Sequence, residues 1–288
     1  MSSRFFAQYI LNQGVLTPEQ VQEALEDGRS VQVKLGVLAI NEKFLTAVQV
    51  EEIHRLQHMV DKRFGEIAID EGYLSEEQLM ILLAAQKNSH LNFGQTLVDK
   101  GFMNLEQLER VLDEYKRESN LDQESDLAIL KEGIRTQLNL SQEDEEVELY
   151  YDYILLFLRA IVRFLDASPL VIPTVHEQKQ DQWSALQSMT GDVTLQSSFT
   201  ADDKVLLELA RRYSGEEIHE IDELALDSIG EFLNVTNGLF CINLSNAGLE
   251  LDLHPQSVTK NADFLMKKNH TVTIDTGFGR INLVMARM

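Results

Sequence analysis

Apolar residues in the first 118 positions follow two superposed periods. Locally they fall three and four apart, as at Val21 and Leu25, at Leu79, Leu82 and Leu83, and at Leu108 and Leu112, which predicts helices buried along one face. Over longer range the pattern returns every 29 residues, with Phe6, Leu35, Phe64 and Phe93 opening four similar segments. Eight residues into each segment stand Gly14, Lys43, Gly72 and Gly101, and two further on Leu16, Leu45, Leu74 and Met103. Thr17, Thr46, Ser75 and Asn104 come next, each followed three residues later by Gln20, Gln49, Gln78 or Gln107. A short polar side chain that caps the free N–H groups, with a glutamine reaching back, is the chemistry of a helix start. Each segment is therefore expected to be a short helix, a left-handed turn residue and a longer helix. One such hairpin cannot bury its apolar face alone, so neighbours must stack.

From residue 119 to 148 acidic side chains dominate, including the Glu143–Glu148 run, while Leu127, Ile129, Leu130, Ile134 and Leu138 keep a helical spacing. This predicts an acidic helical linker between a domain at 1–118 and a second at 149–288. In the second domain, Tyr150–Leu165 reads as a long apolar helix, and Leu170–Ile172 as a short strand bracketed by prolines. Trp183–Met189 and Asp192–Phe199 read as a hairpin about Gly191, and a helix capped by Thr200 follows through Arg212. A helix over Glu220–Asn237 is expected to stop at Gly238, with strands at Leu239–Leu244 and Leu249–Leu253. A last hairpin joins Thr271–Asp275 to Arg280–Ala286. The fold class is thus an all-α array of helical hairpins followed by an α+β domain with a mostly antiparallel sheet.

Composition narrows the partners. The 288 residues carry a net charge of −22, which repels nucleic-acid phosphates and anionic membranes at long range. One cysteine, Cys241, rules out an intrachain disulfide and reads as a small buried residue on a strand. The N-terminus has no signal-peptide apolar region, and the most apolar run, Tyr153–Leu165, is interrupted by Arg159 and Arg163. A soluble cytoplasmic protein is expected. His54 and His58 are four apart on a helix, yet His54 occupies the column filled by Leu25, Leu83 and Leu112, so it reads as a packing residue rather than a metal ligand.

The strongest chemical signal is Asp227–Gly238. On a helix, Asp227, Glu231 and Asn234 share one side, while Ile229, Phe232, Leu233 and Thr236 can pack inward. A carboxylate beside an amide can grip a partner and orient a water molecule.

Two resemblances follow. Lys34-Leu35-Gly36 opens a 24-residue unit ending at Gln57, and after five residues Arg63-Phe64-Gly65 opens a second ending at Gln86. This is similar to the N-terminal domain of type II secretion and pilus ATPases, including the MshE N-terminal family. The resemblance implies cyclic di-GMP contacts at Lys34, Leu35, Gly36, Gln57, Arg63, Phe64, Gly65 and Gln86. Lys34 stands where that family has arginine, Lys43 where it has glycine and Phe64 where it has leucine. No Gly-Lys dipeptide is present, so there is no Walker A phosphate loop.

In the second domain, Gly191-Asp-Val-Thr, Phe199-Thr-Ala-Asp-Asp, Asp227-x-x-x-Glu231-x-x-Asn234-x-x-x-Gly238 and Leu253-His-Pro255 together resemble the CheC/CheX/FliY phosphatases of chemotaxis, CheX above all. That resemblance implies hydrolysis of the aspartyl phosphate on a CheY-like response-regulator receiver. Asn234 would orient the water, Glu231 would pair with a receiver lysine, and Asp227 would support Glu231 or act as a solvated helix charge. The chain itself would need no cofactor, because the receiver would supply Mg2+. A homodimer is the expected assembly. The alternatives are a non-catalytic receiver-binding adaptor and an accessory factor of a pilus or secretion motor.

Overall fold

The computed structural model of the chain describes residues 3–28, 31–57, 59–60, 62–85, 90–118, 123–138, 147–173, 182–260 and 270–288. It divides into two compact units, Met1–Ile129 and Leu130–Met288.

The first unit is built of helix pairs: α1 (Ser3–Asn12) with α2 (Pro18–Asp27), α3 (Leu35–Asn41) with α4 (Ala47–Gln57), α5 (Phe64–Asp70) with α6 (Glu76–Ala85), and α7 (His90–Asp99) with α8 (Leu105–Glu118). Each pair reverses through a left-handed residue, with φ of 65° at Gly14, 58° at Lys43, 72° at Gly72 and 69° at Gly101. Lys43 thus adopts the backbone that glycine takes in the other three pairs. Each second helix starts on a reciprocal cap: the side chains of Thr17, Thr46, Ser75 and Asn104 accept from the N–H three residues on, and the glutamine there accepts from the cap N–H. The pairs do not stack in chain order. The fourth pair packs against both the first and the second, and the third packs against the second. Phe6 meets Phe93 edge-on at 5.9 Å and Tyr115 at 5.1 Å, so the first and fourth pairs share one aromatic core. His54 packs its ring against Phe64 at 5.4 Å, and His58 lies outside the described residues.

Helix α9 (Gln123–Leu138) crosses the division between the units and lies inside the segment read as a linker. Glu143–Glu146 lie outside the described residues, and Glu148 stands in the first turn of α10 (Val147–Leu165).

In the second unit, α10 is followed by β1 (Leu170–Ile172), β2 (Trp183–Gly191), β3 (Leu195–Ala201), α11 (Asp203–Ser214), α12 (Glu223–Asn246), β4 (Leu251–Leu253), β5 (Ser257–Lys260), β6 (His270–Asp275) and β7 (Arg280–Arg287). The sheet order is β1-β6-β7-β3-β2-β4, with β5 also on β2, and every pairing is antiparallel. The three helices meet the sheet at an aromatic cluster: Phe157 of α10, Phe199 of β3, Phe232 of α12 and Tyr213 of α11, with ring centroids 5.6 to 6.1 Å apart. Phe157, Phe199 and Phe232 are fully buried, and each contributes about 1.5–3 kcal/mol by leaving water.

Four local expectations are corrected. Thr200 does not cap α11, because it remains in β3, opposite Asn282 of β7; the cap is Asp202, whose carboxylate accepts from Val205 N–H. Gly238 does not stop α12, and Leu239–Leu244 is helix rather than strand. Phe240 and Leu244 extend the buried stripe of Phe232, Leu233 and Thr236 at helical spacing, and burial of that stripe outweighs one mid-helix glycine. The stop comes at Gly248, with φ of 90°: its N–H donates to Ser245 O and Leu249 N–H donates to Leu244 O, a Schellman closure. Cys241 accordingly sits half-buried on a helix, where burial pushes its thiol up from the ordinary value.

Candidate functional site

The candidate residues lie on α12. Asp222 caps this helix by accepting from Ala225 N–H at 3.0 Å. Ala225, Ile229, Phe232, Leu233 and Thr236 then anchor one face in the core. Gly230 allows the helix to come close to the chain leading into β5, since a Cβ there would stand 3.1 Å from Gln256 Cγ. The opposite face carries Asp227 and Glu231, both exposed, and Asn234, half-buried at the border with the sheet. The geometry therefore places Glu231 and Asn234 side by side, with Asn234 Nδ2 3.4 Å from Glu231 Oε2, and Asp227 one turn earlier. Helix α11 packs against α12, with the Tyr213 ring 5.8 Å from Phe232, and partial burial, helped by the Glu231 charge, pushes the Tyr213 phenol up.

Behind Asn234 stands a polar cluster that sequence reasoning missed. Gln187 Nε2 donates to Asn234 Oδ1 and to the His254 carbonyl, both at 2.8 Å. Asn237 Nδ2 donates to Gln187 Oε1 at 2.8 Å and to Ser197 Oγ at 2.9 Å. Tyr153 of α10 donates its hydroxyl to Asn237 Oδ1 at 2.7 Å. Gln187 is 1% exposed, and Tyr153, Ser197 and Asn237 are fully buried. Burial drives the Tyr153 phenol well above its ordinary range. The sheet register sets the cluster up, because Gln187 of β2 lies opposite Ser197 of β3. His254 is held beside β2 by its N–H on Ser188 O at 2.9 Å and by its ring on Thr190 Oγ1 at 2.8 Å. The signal available in the sequence was a glutamine between Ala185 and Met189 on the inward face of a strand, and a second asparagine on the apolar side of α12.

The residues singled out in the first unit occupy helix starts. Lys34 precedes α3, and its ammonium meets Asp99 at 2.6 Å. Its N–H donates to Gln95 at 3.0 Å. Leu35 is half-buried. Gly36 is required by packing, since a Cβ would fall 2.6 Å from Val50 Cγ1; the Phe64 ring lies 3.7 Å from the same point. At Gly65 a Cβ would likewise stand only 2.8 Å from Leu79 Cδ1. Arg63 is exposed at the start of α5, and Gln57 donates to Lys62 O at 3.4 Å. Gly36 and Phe64 are thus brought together, while the Lys34 ammonium is engaged by Asp99. Gln86 lies outside the described residues.

Among the described residues, no group of three or more His, Cys, Asp or Glu side chains is placed to hold a metal ion, and no helix is long and apolar enough to cross a membrane. A cleft of about 390 Å3 beside Trp183, Asp203 and Lys260 is lined by none of the predicted site residues.

Residues 183–276 match the family model described as chemotaxis phosphatase CheX, a stretch from the start of β2 to the turn after β6 that includes all of α12. No curated protein matches the chain. Similar solved structures include a chemotaxis protein CheX from Desulfovibrio desulfuricans, 16% identical with a TM-score of 0.43, covering 49% of this chain and 99% of that one. FliY from Thermotoga maritima is 18% identical with a TM-score of 0.39, over 50% of this chain and 90% of that one. A CheX–CheY–BeF3–Mg complex from Borrelia burgdorferi is 18% identical with a TM-score of 0.37, over 47% of this chain and 97% of that one. By its family match, the second unit carries a CheX-like domain.

Proposed function

We propose that the second unit hydrolyses the aspartyl phosphate of a response-regulator receiver, a partner of the class to which CheY in the Borrelia burgdorferi complex belongs. The observation that carries this reading is the pairing of exposed Glu231 with Asn234 on one rigid helix, inside the segment matched by the phosphatase family. In this reading α12 lays its polar face on the receiver. Glu231 engages a lysine beside the phosphorylated aspartate and sets the register. Asn234 enters the receiver's site and holds a water in line with phosphorus. The water oxygen bonds to phosphorus as the bond from phosphorus to the aspartyl oxygen breaks. Receiver carboxylate, inorganic phosphate and one proton leave. Mg2+ belongs to the receiver, where it neutralises charge on the phosphoryl group. Phosphoryl transfer depends on positioning and charge stabilisation, so an amide and a carboxylate on a helix suffice. Asp227 is one turn from Glu231 and supports its charge placement.

The test uses the full chain and CheY-type receivers from the same organism, phosphorylated with acetyl phosphate. Acyl-phosphate decay is expected to accelerate with catalytic amounts of wild-type protein and not with Asn234→Ala. Equal decay with both proteins would overturn the proposal.

A further inference from the structure

The Asn234 amide has two possible orientations, carbonyl outward or NH2 outward, and the hydrogen bonds around it select one. One neighbouring group has no freedom. The His254 backbone carbonyl can only accept, so the Gln187 atom 2.8 Å from it must be the amide nitrogen. That nitrogen directs its second N–H at Asn234, 2.8 Å away, so the Asn234 atom facing it must be the carbonyl oxygen. The Asn234 NH2 group is then turned toward Glu231 and the surface. In the other direction, the Gln187 carbonyl requires a donor, which Asn237 Nδ2 supplies at 2.8 Å. Asn237 Oδ1 in turn accepts from Tyr153 at 2.7 Å. Both N–H groups of the Gln187 side chain are therefore engaged and its carbonyl has a donor, inside a buried cluster where an unmade hydrogen bond costs about 1–3 kcal/mol.

We infer that Gln187, held by the His254 carbonyl and the Asn237–Tyr153 pair, is a positioning residue that fixes the Asn234 amide with its NH2 group outward. Asn234 thereby meets the attacking water as a donor. Its N–H binds one lone pair of the water oxygen and leaves the other facing phosphorus. The catalytic part of this inference rests on the proposed phosphatase reading; the orientation itself does not.

Two measurements on the full chain test it. Gln187→Glu has nearly the same shape but no N–H to give, so the cluster favours the inverted Asn234 amide. Gln187→Met removes the relay without adding charge. Both variants are expected to lower the maximal dephosphorylation rate of an acetyl-phosphate-labelled CheY-type receiver at least about tenfold, with the half-saturating receiver concentration changed by less than about twofold. Rates within twofold of wild type would overturn the inference. The second measurement is side-chain amide exchange with water by NMR on wild-type protein, which needs neither folded variants nor activity. Gln187 NH2 protons are expected to exchange at least about tenfold more slowly than Asn234 NH2 protons, because both are bonded in a buried site. Comparable fast exchange of the two side chains would overturn the relay. A wild type without phosphatase activity, but with slow Gln187 exchange, would refute the function and leave the orientation standing.

Discussion

Replacing Asn237 by alanine tests the buried relay through stability. Asn237 is fully buried and serves three groups: the Tyr153 hydroxyl, the Gln187 carbonyl and the Ser197 hydroxyl. Truncation leaves all three without this partner. At about 1–3 kcal/mol for each buried polar group left unsatisfied, and with water able to enter the vacated volume, the expected loss is about 3–5 kcal/mol. Tyr153→Phe is the contrasting change. It removes one hydroxyl, while Asn237 Oδ1 keeps a second donor in Ser197 Oγ at 3.0 Å, so the expected loss is only about 1 kcal/mol. The chain has one tryptophan, Trp183, and it lies on β2. Its fluorescence during urea unfolding therefore reports the second unit, and the shift in midpoint at constant slope gives the two losses. An Asn237→Ala loss below about 1 kcal/mol, or a loss smaller than that of Tyr153→Phe, would refute the relay as a stabilising network.

Three further outcomes follow from the same geometry. Burial raises the Tyr153 phenol above its ordinary value of 10.0, so its contribution to stability is complete below pH 10 and is lost at higher pH, as the unfolded chain deprotonates first. The advantage of wild type over Tyr153→Phe should shrink by about 1.4 kcal/mol per pH unit above pH 10 in the Trp183 assay; a constant difference would contradict the burial. Lys43 holds a left-handed backbone, and its side chain makes an exposed ion pair at 3.2 Å from Asp113. Lys43→Gly should therefore stabilise the first unit by about 0.5–1 kcal/mol in unfolding followed by far-ultraviolet circular dichroism, with destabilisation as the contrary result. Gly36→Ala presses a methyl group onto buried Val50 and should cost the first unit about 1–3 kcal/mol in the same assay; a neutral change would show that Val50 yields freely.

Local chemistry made the first unit legible. Four caps and four turn positions spaced by a fixed interval are short-range signals, and short-range hydrogen bonds satisfy them. The packing order of the pairs was not legible, because Phe6, Phe93 and Tyr115 carry no label of which neighbour they meet. In the second unit the hairpins and the long apolar helix followed from alternation and periodicity. The end of α12 did not, because Leu239–Leu244 is apolar enough to read as a strand, whereas in the fold Phe240 and Leu244 bury at helical spacing. That Glu231 and Asn234 share one side of a helix was legible from their spacing, while their roles were implied only by the family resemblance. Gln187 and Tyr153 were not legible, since 47 and 84 residues respectively separate the members of their hydrogen bonds and only the folded sheet brings them together.

The proposed division of labour on α12 has Glu231 docking and Asn234 acting on the water. Initial dephosphorylation rates measured against increasing phosphorylated receiver separate the two. For Asn234→Ala, the predicted result is a maximal rate reduced at least about a hundredfold at an unchanged half-saturating concentration; for Glu231→Ala, it is a half-saturating concentration raised at least about tenfold. An Asn234→Ala protein that keeps the wild-type maximal rate would contradict the claim.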